Sequence, residues 1–449
     1  MAAGSSPSPD DPRRGATRRA VLAGTVAGAA GLAVGAGAIP AVAATATRSG
    51  LAVSGRAAAS LTSGDPFPAR PRDFVKVRGG KFSVDGKPLR FGGTNTYYLH
   101  QQSHYMIDSA LDDAAAMSLT VVRAWAFADG SGNSYTPLQS APYVYNSPAF
   151  DSLDYAIYKA GQLGIRLVLA LVNNWPDYGG MQQYVKWFLN LPDDTYSTGT
   201  NHDLFYNTKA ITDCYKAYAK FVTHRMNPYT GLRYNQDPTI MTFELGNEPR
   251  NRSDKTGATV LAWVREMSAW VKSLAPRQLV AVGDEGFYGD ASNPDYPYSN
   301  YEGNRWKEFV RTPTVDYATV HLYPQGWGET SAKPGVDPIS WGTTWISQHL
   351  ADGASLGKPV VLEEYGLAID PARDVPDTAT RDEGYTKWTA AVEANGAGDQ
   401  FWLLTSRVDD GSFYPNYDGY RIVWENDATN SSNSTAQLLS AHAIRMAGG

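Results

Sequence analysis

Short apolar segments alternate with stretches of helical spacing from about residue 89 to the end of the chain. Residues 89–93, 120–125, 166–172, 240–245, 279–282, 317–320, 359–362 and 400–404 read as strands. Between and after them, 107–117, 153–161, 210–226, 260–274, 345–350, 381–393 and 436–446 carry apolar residues at helical spacing. Strands that alternate with helices pair in parallel, because a parallel connection needs a long crossover. The alternation predicts an α/β protein, a single (β/α)8 barrel of the TIM type with enlarged loops after its strands. An open doubly wound sheet is the other arrangement the alternation permits. No Gly-rich phosphate loop follows the first strand, which counts against it.

The segments before the barrel read differently. In residues 1–43 paired arginines, Arg18 and Arg19, precede an apolar run rich in Ala, Gly and Val that ends at Ala41-Val42-Ala43. This is the pattern of an export signal, and the arginine pair resembles a bacterial twin-arginine signal, with ordinary secretion as the alternative. Residues 44–72 are rich in Ala, Ser, Thr and Gly and read as a linker. The catalytic barrel is expected over 73–449. It would begin with a β-hairpin, in which Phe74-Val75-Lys76-Val77 and Lys81-Phe82-Ser83-Val84 flank Gly79-Gly80 and which is placed to plug the barrel's bottom.

Composition narrows the partners. Formal net charge is -6, and it becomes more negative once the arginine-rich leader is discounted. No basic run interrupts the body of the chain, so neither nucleic acid nor an anionic membrane surface is an expected partner after leader removal. The single cysteine, Cys214, excludes an intramolecular disulfide and falls in a helical stretch, where it reads as buried. Aromatic residues make up 12% of the chain, enough for either core filling or sugar stacking. The protein is expected to act as a monomer.

The polar residues fall where a barrel places its active site. Asn95, Arg123, Asn174, Asn247, Glu248, Glu285, His321, Tyr323, Glu364 and Trp402 all lie at the carboxyl ends of expected strands or just beyond. Glu248 ends the fourth strand and Glu364 the seventh, on nearly opposite sides of an eight-stranded mouth. Two carboxylates that face each other across a bond suit glycoside hydrolysis, in which one protonates the leaving oxygen and the other attacks the anomeric carbon or directs water to it. Glu363 competes with Glu364 for the second role. Alternation along a strand would point these two to opposite sides.

The motifs resemble those of retaining barrel glycosidases, glycoside hydrolase family 5 in particular. Asn247-Glu248-Pro249 matches the family's signature at the fourth strand, and Glu364-Tyr365-Gly366 its signature at the seventh, with His321-x-Tyr323 between them. Within the family, Phe91-Gly92-Gly93-Thr94-Asn95-x-Tyr97-Tyr98, Val122-Arg123-x-Trp125, Val172-Asn173-Asn174-Trp175, Glu244-Leu245-Gly246-Asn247-Glu248-Pro249-Arg250, Gly283-Asp284-Glu285-Gly286-Phe287 and Tyr414-Pro415-Asn416-Tyr417-Asp418-Gly419 are most similar to endo-β-1,4-mannanases. Fungal members usually carry several cysteines, and this chain departs from them there.

The resemblance implies a secreted hydrolase of mannan, glucomannan or galactomannan. Glu248 would be the general acid and then the base, with its pKa raised for the first task. Glu364 would be the nucleophile, held by Arg123 and Tyr323. Asn247 would bind the hydroxyl on carbon 2 of the sugar at the cleavage point. His321 would bind nearby hydroxyls or orient the acid, Trp402 would floor the sugar, and Trp175 would stack on another. Asn95 joins the substrate-contacting set. Arg250 and Glu285 would contact sugars on the leaving-group side, or form a plain surface salt bridge. No second His or Cys sits at ligand spacing from His321, so no metal is expected, and no cofactor either. A β-1,4-glucanase, an exo-β-mannosidase and a barrel that binds polysaccharide without cleaving it remain the alternatives.

Overall fold

The computed structural model describes residues 71–131, 135–191, 200–427 and 429–448. The expected export signal, and the linker up to residue 70, lie outside the described residues. Eight strands form one parallel sheet: β1 (Phe91–Asn95), β2 (Val121–Trp125), β3 (Arg166–Ala170), β4 (Ile240–Glu244), β5 (Leu279–Ala281), β6 (Ala318–Leu322), β7 (Val360–Tyr365) and β8 (Gly398–Phe401). Their order is β5-β4-β3-β2-β1-β8-β7-β6, so each strand lies beside its neighbour in sequence. The seam between β5 and β6 has no ladder, but hydrogen bonds bridge it. Asp316 N–H donates to Val280 O at 2.8 Å, Val280 N–H donates to the Asp316 carboxylate at 2.7 Å, and His321 N–H donates to Glu285 O at 3.1 Å. The sheet thus closes into the expected barrel, which leaves no exposed edge.

One principal helix follows each strand: α1 (His104–Ala116), α2 (Asp151–Gln162), α3 (Lys209–His224), α4 (Ala258–Leu274), α5 (Trp306–Arg311), α6 (Pro338–Ser355), α7 (Thr378–Asn395) and α8 (Asn433–Met446). Helix α6 is far longer than the expected 345–350. Asp337 caps it by accepting from Ser340 N–H, and Pro338 starts it, so the true signal lay upstream of the apolar run. The short α5, and a helix at Gly180–Leu189 inside the enlarged loop after β3, were not legible as helices. The first strand begins two residues later than expected. Leu89 is drawn away because its N–H donates to Phe82 O at 3.0 Å.

That bond belongs to the barrel's plug. Lys76–Arg78, Lys81–Val84 and Lys87–Pro88 form a small antiparallel sheet, one strand more than the expected hairpin. Phe82 points from it into a layer made of Val121, Val168, Met241, Leu279, Tyr317 and Val361, at the amino ends of the barrel strands. Its ring meets Tyr317 edge-on at 5.3 Å. Full burial of such a side chain stabilises the fold by roughly 2 to 3 kcal/mol. Alternation along β2 then sets the next layer. Val121 joins the plug, Val122 and Ala124 pack in the large cluster that includes helix residues, and Arg123 faces the barrel axis. Cys214 is buried in α3 as expected and accepts from Gln139 Nε2 at 3.3 Å. Among the described residues no helix is long and apolar enough to cross a membrane.

Candidate active site

Arg123 is fully buried, and its guanidinium organises the mouth of the barrel. Nε and Nη2 donate to the two oxygens of Glu244 at 2.8 and 2.5 Å. Nη1 donates to Glu364 Oε1 at 2.5 Å, and Nη2 also donates to Asn247 Oδ1 at 2.8 Å. A planar fork with fixed donors suits this multiple grip better than an ammonium would. Glu244 was not among the expected site residues. It ends β4, and a polar residue closing an apolar strand carries no sign that a buried cation waits for it. Burial raises its pKa, against the pull of Arg123.

Asn95 does not take the substrate-contacting place expected of it. It is fully buried, and its Nδ2 donates to Glu363 O at 2.8 Å and Gln400 O at 3.0 Å. Its Oδ1 accepts from Arg123 at 3.1 Å. Both ends of the amide are therefore occupied, and Asn95 braces the arginine.

Glu364 is almost buried, and its second oxygen accepts from the Tyr323 hydroxyl at 2.8 Å. The expectation that Glu363 would point to the opposite side is overturned. Strands β6 and β7 pair Val320 with Leu362 and then His321 with Glu364, so Glu363 is the extra residue of a bulge. A bulge breaks the two-residue alternation and re-aims side chains. Glu363 Oε2 consequently lies 3.5 Å from His321 Nε2 and 3.7 Å from Arg123 Nε. Its Oε1 is buried with no hydrogen-bond partner among the described residues.

Glu248 sits just past the end of β4 in a left-handed backbone conformation, φ 53°. Such a conformation costs a side-chain-bearing residue of order 1 kcal/mol or more and persists only where neighbours enforce it. They do so here: Asn247 N–H donates to Val172 O at 2.8 Å and Glu248 N–H to Gly283 O at 2.7 Å. The strand end is thus clamped between its two neighbours, and the carboxylate turns inward. Oε1 lies 2.9 Å from His321 Nδ1, and Oε2 accepts from Trp175 Nε1 at 2.6 Å. Asn247 donates from Nδ2 to Asn173 Oδ1 at 3.0 Å, which fixes its amide beside both acids.

His321 lies between carboxylates on both ring nitrogens, with Glu248 and Glu364 on the Nδ1 side and Glu363 on the Nε2 side. Burial works against a charged ring. Attraction to Glu364, with hydrogen bonds to Glu248 and Glu363, outweighs it and raises the pKa to about 10. The three carboxylates thus favour proton binding by the ring. One donor atom from each of Glu248, His321 and Glu364 lies within 4.8 Å of the others, a spacing that would also suit a cation. The Arg123 guanidinium, bonded to Glu364, already supplies positive charge at that point.

The remaining expected residues surround this centre. Trp402 is half-buried, stacks flat on Tyr97 at 5.3 Å and 6°, and donates from Nε1 to Asp418 at 2.8 Å. Its plane is therefore fixed at the mouth. Tyr97 and Trp125, which sequence reasoning left as motif residues, complete that aromatic wall. Arg250 and Glu285 do not form a surface salt bridge. They are 4% and 1% exposed and paired in bidentate fashion, Nε to Oε2 at 2.5 Å and Nη2 to Oε1 at 2.6 Å.

A closed parallel barrel whose fourth and seventh strands deliver facing carboxylates to its carboxyl-terminal mouth defines a class, the barrel glycoside hydrolases. The chain belongs to the glycoside hydrolase family 5 β-mannosidase-like family, whose model matches residues 72–405. A rice (Oryza sativa subsp. japonica) protein described as putative mannan endo-1,4-beta-mannosidase 5 is 36% identical over 389 residues, 83% of this chain and 76% of that protein. The endo-beta-1,4-mannanase of Thermotoga petrophila superposes with a TM-score of 0.70 at 39% identity, covering 81% of this chain and 78% of that one. The endo-1,4-beta-mannanase of Rhizomucor miehei gives 0.70 at 33% identity, covering 84% and 100%.

Proposed function

We propose that the protein is an endo-acting hydrolase of β-1,4-mannosidic linkages that works by double displacement. The observation that carries the mechanism is the spacing of the acids. One oxygen of Glu248 and one of Glu364 lie within 4.8 Å of each other. That proximity favours a retaining pair, whose carboxyl groups stand about 5 to 5.5 Å apart, over an inverting pair, which needs roughly 6.5 to 9.5 Å to admit water between the base and the sugar. Glu364, gripped by Arg123 and Tyr323, attacks the anomeric carbon. Glu248, with one carboxyl oxygen held 2.9 Å from His321 Nδ1, protonates the departing oxygen. It then takes a proton from the water that releases the sugar from Glu364. Asn247, fixed by Arg123 and Asn173, is placed to read the hydroxyl on carbon 2, and Trp402 to floor the ring.

The substrate assignment rests on the family and on relatives described as mannan endo-1,4-beta-mannosidases. An activity panel across mannan, glucomannan, xylan and carboxymethyl cellulose tests it, with turnover expected on the first two. Mannohexaose should yield mixed short oligosaccharides. Release of mannose alone would make the enzyme exo-acting, and preferential turnover of carboxymethyl cellulose would make it a glucanase. Binding without turnover on every polymer would leave a carbohydrate-binding barrel.

Export is proposed from Arg18, Arg19 and the apolar run behind them. Replacing both arginines with lysine should retain the protein inside a twin-arginine-competent host. Undiminished export would point to ordinary secretion.

A further inference from the structure

Trp175 was expected to stack on a sugar, but its indole is engaged at both its edge and its face. The N–H donates to Glu248 Oε2 at 2.6 Å. The Arg250 guanidinium lies over the ring, 4.9 Å from its centroid. Arg250 itself cannot swing freely. Glu285 grips it through two bonds, Glu302 Oε1 accepts from Nη1 at 2.9 Å, and Tyr296 Oη lies 3.2 Å from the same nitrogen. Phe287 packs against the guanidinium at 5.1 Å, and the Tyr206 hydroxyl accepts from the Arg250 backbone N–H at 2.8 Å. The arginine is a rigid, buried plate with an aromatic ring lying against it.

We propose that Arg250, clamped by Glu285 and Glu302, is a positioning residue for Glu248 and acts through the ring of Trp175. The inference rests on Glu248 as the acid/base. The left-handed backbone of Glu248 fixes where its side chain starts, but its carboxylate still has rotamers to choose from. His321 holds one oxygen from β6. Trp175 holds the other from the loop after β3. Without the second contact the group could rotate about the first and lose aim at the leaving oxygen. Stacking on Arg250 sets the tilt of the indole, and the tilt sets the direction of its N–H. Misplacement of a reacting group by a fraction of an ångström is enough to cost rate.

The arrangement has a distinct electrostatic signature. Glu248 faces the His321 ring from β6, Glu364 from β7 and Glu285 from beyond β5, while Arg250 on its own loop lies behind Trp175. The indole N–H stabilises the ionised carboxylate. Removing that donor raises the proton affinity of Glu248 and moves the alkaline limb of the rate profile upward.

Trp175→Phe keeps a ring for Arg250 and deletes the donor. Aryl β-mannobiosides place no sugar on the leaving-group side, so they isolate acid assistance from sugar contacts. With a phenyl leaving group, kcat/KM, which reports formation of the covalent intermediate, should fall about 10- to 100-fold, the loss expected for one bond to a charged group. With a 2,4-dinitrophenyl group, which departs without protonation, kcat/KM should fall less than about threefold, and the alkaline limb for phenyl should shift upward. Arg250→Lys keeps the charge but not the plate, and should show the same pattern at about three- to tenfold. Glu302→Gln serves as a milder variant should either of these fail to fold. Equal losses on both aryl substrates with an unmoved limb would overturn the proposal. So would an Arg250→Lys effect confined to KM for long oligosaccharides, which would make Arg250 a sugar contact only. Glu248→Ala is the control, because absence of leaving-group dependence there would refute the acid assignment itself.

Discussion

Glu363 and Glu364 are consecutive in the chain, yet both carboxylates reach toward Arg123 and His321 at the barrel axis. The bulge between β6 and β7 is what brings them together. They differ in what holds them. Glu364 has a guanidinium at 2.5 Å and a phenol at 2.8 Å, and it lies beside Glu248. Glu363 has only long contacts and one oxygen without a partner among the described residues.

The two glutamates should therefore respond unequally to substitution. Glu364→Gln is expected to lower kcat on mannan by about 10⁴-fold or more, as loss of a nucleophile does. Glu363→Gln, which reaches the chemistry only through His321 and Arg123, should lower it by no more than about tenfold. Steady-state kinetics on mannan with both variants decides this. The reverse ranking would assign the nucleophile to Glu363.

Tyr323→Phe removes one of the two strong donors to Glu364 and leaves the ring in place. A hydrogen bond to a charged group is worth about 1.5 to 3 kcal/mol, so kcat/KM should fall roughly 10- to 100-fold. A variant with unchanged kcat/KM would show that the phenol does not prepare Glu364 for attack.

The buried titratable groups set a direction for stability. Burial raises Glu244, Asp284 and Glu285 above the usual carboxylate range, Asp284 to about 7, and the surrounding carboxylates raise His321 to about 10 against its burial. In each case the folded pKa exceeds the unfolded one. Each contribution is therefore fully present below the unfolded pKa and is lost as pH rises through the folded value. For the acids the loss spans the window from their ordinary range to about 7, and for His321 from 6.5 to about 10. Calorimetry should show Tm falling as pH is raised from about 5 to about 9. A Tm that climbs over that window would contradict the assignment.

Gly283 lies at φ 80°, and a Cβ there would come within 2.3 Å of both Glu244 Oε1 and Gly246 O. Neither atom can yield, because the first grips Arg123 and the second belongs to the clamped strand end. Gly283→Ala should cost at least about 2 kcal/mol, from the backbone conformation and the clash together, and lower Tm by several degrees. It should also depress kcat, since Glu244 aims Arg123. A variant with normal Tm and kcat would mean the strand end is more pliable than the hydrogen bonds imply.

The parts of this site that lie in local pattern were legible beforehand. The alternation gave the barrel, and strand ends gave Glu248, Glu364, His321 and Tyr323 their shared face, because strand period and chain direction are properties of short segments. What depends on register or depth was not legible. The bulge at Glu363 is decided by how β7 pairs with β6, which a single strand does not reveal. Glu244 stood in a stretch that matched the family, but the match gave it no role, because its partner Arg123 lies two strands away. Arg250 and Glu285 carry the same residue types whether exposed or buried, and it is the surrounding loops, with Trp175, Phe287, Tyr296 and Glu302 against the guanidinium, that cover the pair. Trp175 offered its ring to the sequence reading, while the structure uses its N–H.

The central claim is that Glu364 attacks the sugar while Glu248 manages the proton. Incubation with 2-deoxy-2-fluoro-β-mannosyl fluoride should trap the covalent intermediate, and peptide mass spectrometry of the quenched enzyme should place the label on Glu364. Label on Glu363, or absence of any adduct with inverted product from the natural substrate, would contradict the account.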